Sequence, residues 1–375
     1  MNVLLLSAYA AQSHVYWQRS LQAMLPHWQW QVLSLPPRHF SWRVRGNPLY
    51  WSLAERPLLE AEYELLVATS MVDLATLRGL VPALSRLPTL LYFHENQFDY
   101  PQQDGRPGLL EAQMVSLYAA LAADALAFNS ACNRDTFLAG VDTLLRKLPD
   151  KVPPAVTARL ADKSHVLPVP IDTGACADAS AHWPGVAGVY PRRPLRLLWS
   201  GRFEHDKGGD TLRQVLGELE RAGLDYELAL AGQQFRSAPP VFSRMESEFA
   251  HRLVHFGYLP AVADYRALLR AADVVLSTAS HEFQGVAVLE AVASGCLPAV
   301  PDRQAYPEIY PARFRYDSHP DDPAREAAAA AALVCALAAD LAQGRVQAPD
   351  VSAFGRAQLQ AQYRQLLQGL PRPPG

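Results

Sequence analysis

Short, largely apolar runs recur through the first half of the chain, at residues 3–7, 31–35, 65–69, 89–93 and 125–129, each followed by a segment long enough for a helix or a loop. Runs of this kind read as strands buried on both faces, and their alternation with helix-length segments predicts a parallel sheet covered by helices. A second series starts at Leu195–Ser200, continues at Tyr226–Ala231, Leu253–Phe256 and Asp273–Ser277, and ends near Leu297–Val300. The expected class is therefore α/β, with two Rossmann-like parallel-sheet domains: residues 1–171 and residues 195–350. Between them, 172–194 is rich in Ala, Gly and Pro and reads as an interdomain connection. Residues 148–163, with Pro149, Pro153 and Pro154, read as an insert that breaks the first unit. In the tail, 351–375, the spacing of Phe354, Leu359, Tyr363 and Leu367 predicts a docked final helix. In such layouts ligands sit outside the carboxyl ends of the strands.

Composition narrows the picture a little further. With 375 residues, half of them hydrophobic, the chain suits two well-packed domains. Cys132, Cys176, Cys296 and Cys335 are scattered, with no C-x-x-C pair, which argues against a structural zinc or a disulfide framework and for a reducing compartment. The N-terminal M-N-V-L-L-L-S reads as a strand rather than a secretory signal, and the longest apolar run, Ala327 to Ala339, falls short of the ~20 residues that span a bilayer. A cytoplasmic protein without a membrane partner is expected. Net charge is −3, yet no acid occurs before Glu55, and the first 54 residues hold four arginines and five of the seven tryptophans. A locally basic, aromatic surface is thus compatible with the global charge.

Three stretches carry candidate chemistry. Residues 282–290 read E-F-Q-G-V-A-V-L-E, and the expected geometry puts Glu282 in a loop just past a strand and Glu290 about two turns into the following helix. Gly285 gives the backbone freedom to approach a ligand, so two carboxylates can accept hydrogen bonds from different parts of a polyhydroxylated molecule. The second stretch, L-L-W-S-G-R-F-E-H-D-K-G-G-D, sets the guanidinium of Arg202 and the ammonium of Lys207 in one strand-to-helix loop, a grip suited to a diphosphate. The third, L-L-Y-F-H-E-N-Q-F-D-Y-P over residues 90–101, delivers His94, Glu95, Asn96 and Gln97 from the end of an apolar strand. Four consecutive polar groups there are costly without partners, and histidine suits proton handling near neutral pH.

S-G-R-x(4)-K-G together with E-x(7)-E resembles glycosyltransferase family 4, retaining enzymes of the GT-B fold, whose two domains face a central cleft; H-F-G-Y-L at His255–Leu259 extends the likeness. The resemblance implies that Arg202 and Lys207 hold the donor diphosphate, that Glu282 contacts the sugar hydroxyls and Glu290 the ribose, and that Phe283, Gln284, Gly285 and Val286 lie against diphosphate and sugar. It also implies no metal and no cofactor beyond the donor substrate; His94 and Glu282 are the expected catalytic residues. The H-E-N-Q-x-x-Y-P segment, W-S-G-R-F-E-H-D-K and L-P-P-R-H-F-S-W-R-V-R-G resemble one subgroup over most of the chain, the tRNA-queuosine alpha-mannosyltransferases. That likeness implies mannose transfer from GDP-mannose to the cyclopentenediol of queuosine in tRNA-Asp, with Ser13 and His14, and Asn129 beside Ser130, in loops of the cleft. One departure is that Ala10, Ala11 and Gln12 stand where the family tends to carry glycines.

On the acceptor side, Arg38, His39, Phe40, Trp42, Arg43 and Arg45 interleave guanidinium groups with aromatics, as needed to pair phosphates and stack on splayed bases. An amphipathic loop that packs Phe40 and Trp42 inward and solvates its arginines accounts for the same residues equally well; the resemblance favours RNA. Arg146, Lys147, Lys151, Arg159 and Lys163 would extend a basic track or form only a solvated face. Two other readings remain open at this point: a family 4 enzyme acting on a lipid or polysaccharide acceptor, and a non-catalytic RNA-binding protein on the same scaffold.

Overall fold

The computed structural model describes residues 1–99, 109–177, 180–234 and 238–371, and the chain divides into two compact units, Met1–Pro170 with the segment from Arg356 onward, and Ile171–Gly355. Tyr100 and Pro101 of the third candidate stretch lie outside the described residues.

In the first unit β1 (Asn2–Ser7), β2 (Gln29–Ser34), β3 (Leu65–Thr69), β4 (Thr89–Phe93), β5 (Ala125–Phe128) and β6 (Ser164–Val166) form one parallel sheet in the order β2-β1-β3-β4-β5-β6. Every residue of β3, β4 and β5 is buried, which is why these strands read as continuous apolar runs. The edge strand β6 was not foreseen, because Ser-His-Val carries no apolar run. The second unit repeats the plan with β7 (Leu195–Ser200), β8 (Tyr226–Ala231), β9 (Leu253–Gly257), β10 (Val274–Leu276), β11 (Leu297–Pro301) and β12 (Arg315–Tyr316), in the order β12-β11-β10-β7-β8-β9. Only the two-residue β12 lacked a signal in the sequence.

Three segments differ from expectation. The stretch 172–194 is part of the second unit rather than a connection: it carries a helix at Thr173–Ala177, buries Trp183, and ends on Arg193, whose guanidinium grips Asp273 at 2.6 and 2.9 Å. A nearly buried, bidentate ion pair leaves that segment little freedom. The expected insert 148–163 holds a short helix, Val156–Ala161, that buries Leu160 and leads into β6. The arginine-tryptophan stretch is not a loop, since a helix runs over Phe40–Ala54 despite Gly46 and Pro48. Pro48 has no N–H for the carbonyl four residues back, and the side chain of Asn47 replaces it, Nδ2 donating to the Val44 carbonyl at 2.9 Å.

The tail forms a helix, Arg356–Gln368, that belongs with the first unit and lies against the helix Gln12–Met24. Its anchor is Tyr363, whose buried hydroxyl accepts from Trp17 Nε1 at 2.9 Å and donates to the Pro168 carbonyl at 2.9 Å. Among the described residues no helix is long and apolar enough to cross a membrane. Replacing Tyr363 by Phe keeps the ring but strands the buried Trp17 N–H, and is expected to cost about 1–3 kcal/mol. Chemical denaturation checks this, and an unchanged midpoint would show that the hydroxyl is dispensable.

Candidate functional site

In the second sheet the chain leaves β7 toward β8 on one side, while β10 returns on the other. The carboxyl ends of β7 and β10 therefore flank the point where strand order reverses. The first two candidate motifs both emerge there. After β7 the chain passes Arg202, turns through His205–Lys207, and enters the helix Gly209–Arg221. After β10 it runs through Glu282 and Gly285 into the helix Val286–Ala293. The two loops are bonded to each other: the Lys207 carbonyl accepts from Thr278 Oγ1 at 3.0 Å, and the Asp206 carbonyl from Ser280 N at 2.9 Å. Gly208, at φ 68°, is required by this seam, because a Cβ would come 1.9 Å from the Thr278 carbonyl oxygen.

Lys207 and Glu282 meet directly, Nζ to Oε2 at 3.0 Å, with Asp206 Oδ2 3.2 Å from the same ammonium. Burial disfavours the ammonium, but Glu282 and Asp206 outweigh it and hold the Lys207 pKa above its ordinary value. Burial likewise opposes the Glu282 carboxylate, and Lys207 outweighs it, so that group stays ionised. Arg202 sits in the same loop, partly exposed, 3.0 Å from Glu204 Oε2. Phe283 and Gln284 are buried, Val286 is half-buried, and Gly285 caps the following helix at φ 72°. Glu290 is the fifth residue of that helix, so it lies about one turn along it, not two. Burial and then the Glu290 charge raise the pKa of Tyr265, and the same two causes lift Cys176 to about 11. Tyr265 Oη is 3.1 Å from Ser200 Oγ at the end of β7.

Several residues here escaped sequence reasoning. Asp206 and His281 adjoin the motifs and were within reach of it. Gln304 was not, since it follows β11 and becomes a neighbour only in the folded sheet: its Oε1 accepts the Glu282 N–H, and its amide nitrogen lies 2.6 Å from His281 Nδ1.

In the first unit His94 leaves β4 and stacks on His14, with ring centroids 4.1 Å apart and planes at 18°, while Trp17 meets His94 edge-on. Burial first, and then His14, push the His94 pKa well below its ordinary value, so this imidazole is neutral near pH 7. His94 Nε2, Ser7 Oγ and Thr69 Oγ1 are buried without a hydrogen-bond partner among the described residues, and all belong to the carboxyl ends of adjacent strands β1, β3 and β4. Asn96 and Asn129 are engaged within the loop: Asn129 Nδ2 donates to the His94 carbonyl at 2.9 Å, and Asn96 Nδ2 to Asn133 Oδ1 at 2.9 Å. Gln97 is buried, Glu95 half-buried, and Ser13 exposed on the first turn of Gln12–Met24.

The helix Phe40–Ala54 buries Val44, Asn47, Pro48 and Trp51 and turns Trp42, Leu49 and Leu53 outward, with Trp42 57% exposed. The indole lies over Gly46, where a Cβ would come within 2.5 Å of it. Arg38 and His39 are exposed just before the helix. Arg45 is paired internally with Asp73 at 2.5 Å and Glu111 at 3.1 Å, on the wall of an open cavity of about 480 Å³ that Thr76 and Tyr118 also line. Arg43 is half-buried, and its Nε lacks a hydrogen-bond partner among the described residues. Arg38 and Arg45 are thus both exposed, and Arg45 is paired with two carboxylates within the protein. Among the described residues no group of three or more His, Cys, Asp or Glu could hold a metal ion.

Known proteins agree with this geometry. Residues 190–325 match the family described as glycosyl transferases group 1, and residues 2–171 match the one described as tRNA-queuosine alpha-mannosyltransferase N-terminal. Solved structures with the same fold include HepE of Anabaena, at a TM-score of 0.62 and 14% identity over 99% of this chain and 100% of that one. Trehalose-6-phosphate synthase OtsA gives 0.65 and 11%, with both chains covered fully. The two parallel sheets have the GT-B fold, and the match over residues 190–325 makes the protein a glycosyltransferase. A tRNA-queuosine alpha-mannosyltransferase of Drosophila melanogaster is 31% identical over 318 residues, 84% of each chain. The chain belongs to the tRNA-queuosine alpha-mannosyltransferase family. A GDP-mannose-dependent alpha-(1-6)-phosphatidylinositol dimannoside mannosyltransferase of Mycobacterium tuberculosis is 31% identical over a shorter stretch, 36% of this chain and 32% of that one.

One pH dependence follows from the site. Burial, then Lys207, lower the His281 pKa to about 4 against the pull of Glu282 and Asp206. A histidine in the unfolded chain takes its proton near 6.5, so between the two values the unfolded state binds the extra proton and stability drops as pH falls from about 6.5 to about 4. The expected loss is of order 2–3 kcal/mol across that window. Denaturation at several pH values should show it, and the slope should shrink in His281→Asn; identical slopes would contradict the assignment.

Proposed function

We propose that the protein is a retaining enzyme that transfers mannose from GDP-mannose to the cyclopentenediol of queuosine in tRNA-Asp, in the cytoplasm and without a metal. The observation that carries this reading is kinship to a tRNA-queuosine alpha-mannosyltransferase along 84% of both chains, a span too long to reflect the donor unit alone. The Mycobacterium relative, named for its dependence on GDP-mannose, supports the choice of donor.

In this mechanism the diphosphate lies on Arg202, Lys207 and the N-terminus of Val286–Ala293, where cation and helix dipole stabilise the charge that builds as it departs. Glu282 accepts hydrogen bonds from the sugar hydroxyls and Glu290 from the ribose. The acceptor hydroxyl attacks the anomeric carbon on the face the diphosphate is leaving. The bond from that carbon to the phosphate oxygen breaks, the bond to the acceptor oxygen forms, and the acceptor proton passes to the departing phosphate. His94, neutral and with an open Nε2, is suited to accept a hydrogen bond from or donate one to a hydroxyl at the reacting centre. RNA contacts fall on Arg38, His39 and the outward face of Trp42 rather than on Arg45, since Arg45 is already neutralised by two carboxylates.

Purified protein incubated with labelled GDP-mannose and queuosine-containing tRNA should yield mannosyl-queuosine after digestion to nucleosides, with or without EDTA. Absence of product while other nucleotide sugars or a lipid acceptor support transfer would replace this reading. Glu290→Ala removes a charged hydrogen-bond acceptor and should weaken GDP-mannose binding about 10- to 100-fold; unaltered affinity would defeat the ribose assignment. The double variant Arg38→Ala with Trp42→Ala should weaken tRNA binding by the ~1–3 kcal/mol of one stacked base and flatten its salt dependence. Arg45→Ala should change the salt slope less, and the opposite ranking would move the RNA surface.

A further inference from the structure

Residues 303–306, which follow β11 and read R-Q-A-Y, touch the donor loop at five places. Tyr306 Oη is 2.7 Å from Ser277 Oγ at the start of that loop, and its ring underlies Gly285, where a Cβ would come 2.9 Å from it. Arg303 Nε donates to the Ala279 carbonyl at 3.0 Å, while its two terminal nitrogens are held by Glu326 at 2.7 and 2.9 Å. Gln304 reaches the carboxylate residue itself. Its Oε1 accepts the Glu282 backbone N–H, which leaves its Nε2 to donate to His281 Nδ1. One amide therefore sets both the backbone at Glu282 and the tautomer of His281, which must carry its proton on Nε2.

The backbone adds an independent observation. Gln304 has φ 52°, in the left-handed region that glycine enters freely and glutamine does not. Non-glycine residues persist in such conformations where their side chains are needed, commonly at ligand sites. A turn alone would be served better by glycine.

We propose that Gln304 is a positioning residue for the sugar-contacting carboxylate: its side-chain amide holds the 281–282 backbone so that Glu282 faces Lys207 and the donor hexose. The inference rests on the reading of Glu282 as the donor-sugar contact and adds to it a residue from a different strand, outside both motifs.

Gln304→Gly separates the turn from the amide, since glycine supplies the backbone conformation without the hydrogen bonds. Calorimetry with GDP-mannose and with GDP should show the hexose-bearing ligand bound about tenfold more weakly and GDP changed less than about twofold, as one lost hydrogen bond to a buried group predicts. The melting temperature should hold or rise. Gln304→Glu keeps an acceptor for the Glu282 N–H but requires a proton on His281 Nδ1, so the His281 NMR titration should move upward relative to the parent despite the facing Lys207, and with Asp206, Glu282 and the new carboxylate all favouring the cation. Unchanged GDP-mannose affinity in Gln304→Gly, with Glu282→Ala still impaired, would overturn this inference and leave the donor reading standing. Equal losses for GDP and GDP-mannose, with a lowered melting temperature, would reduce Gln304 to a structural support. If Glu282→Ala also bound GDP-mannose normally, the donor reading would fall, and this inference with it.

Discussion

The pairing of Lys207 with Glu282 is the constraint around which the second unit is organised. Each is a charge held largely out of water, each would be strongly disfavoured alone, and each is kept ionised by the other across 3.0 Å. That pairing requires the loops after β7 and β10 to stay in register to within a fraction of an ångström. The backbone bonds from Ser280 to Asp206, the Thr278 hydroxyl on the Lys207 carbonyl and the close approach at Gly208 all serve it. Because these loops leave a parallel sheet where its strand order reverses, the pair lies at the usual position of a ligand site in such sheets.

The same pair constrains how a donor is received. A diphosphate arriving at Lys207 competes with Glu282 for the ammonium, and on the proposed reading Glu282 is compensated by hexose hydroxyls as it yields. A ligand bearing both groups then keeps both charges satisfied, whereas a bare nucleotide leaves Glu282 the poorer partner. Support for the exchange comes from beneath. Arg303, Gln304 and Tyr306 hold the donor loop from the strand beyond it, and Arg303 is itself fixed by the nearly buried carboxylate of Glu326 on the helix Pro323–Ala342.

The first unit is polar in a different way. At the carboxyl ends of β1, β3 and β4 it buries hydroxyls and an imidazole whose hydrogen bonds are incompletely satisfied among the described residues, while the asparagines around them are engaged in shaping the loop. Asn96, Asn129 and Asn133 link β4 to the helix Ala131–Lys147, so His94 is carried on a rigid support. Satisfied groups of this kind build a site, and unsatisfied ones leave capacity for a ligand or water.

Among the described residues ten of the twelve strands were legible as apolar runs, most plainly the central ones, because a parallel strand covered on both faces must be apolar throughout; β6 and β12, edge strands of three and two residues, were not. Spacing also singled out Arg202, Lys207, Glu282 and Glu290 as candidates, the first three in the loops that follow β7 and β10 and the last on the helix beyond Gly285. What spacing could not convey is who meets whom. The arginine-tryptophan stretch read as a loop, yet it is a helix in which Asn47 makes the bond that Pro48 cannot, and Arg45 is paired with Asp73 and Glu111, 28 and 66 positions away in the chain. Gln304 had no local mark at all. The sequence by itself determined the two sheets and the strand ends at which charged groups are displayed, because burial and turn chemistry act over a few residues. Only the tertiary structure decided which charges are spent on one another and which stay open, because that depends on distances between strands that are remote in sequence.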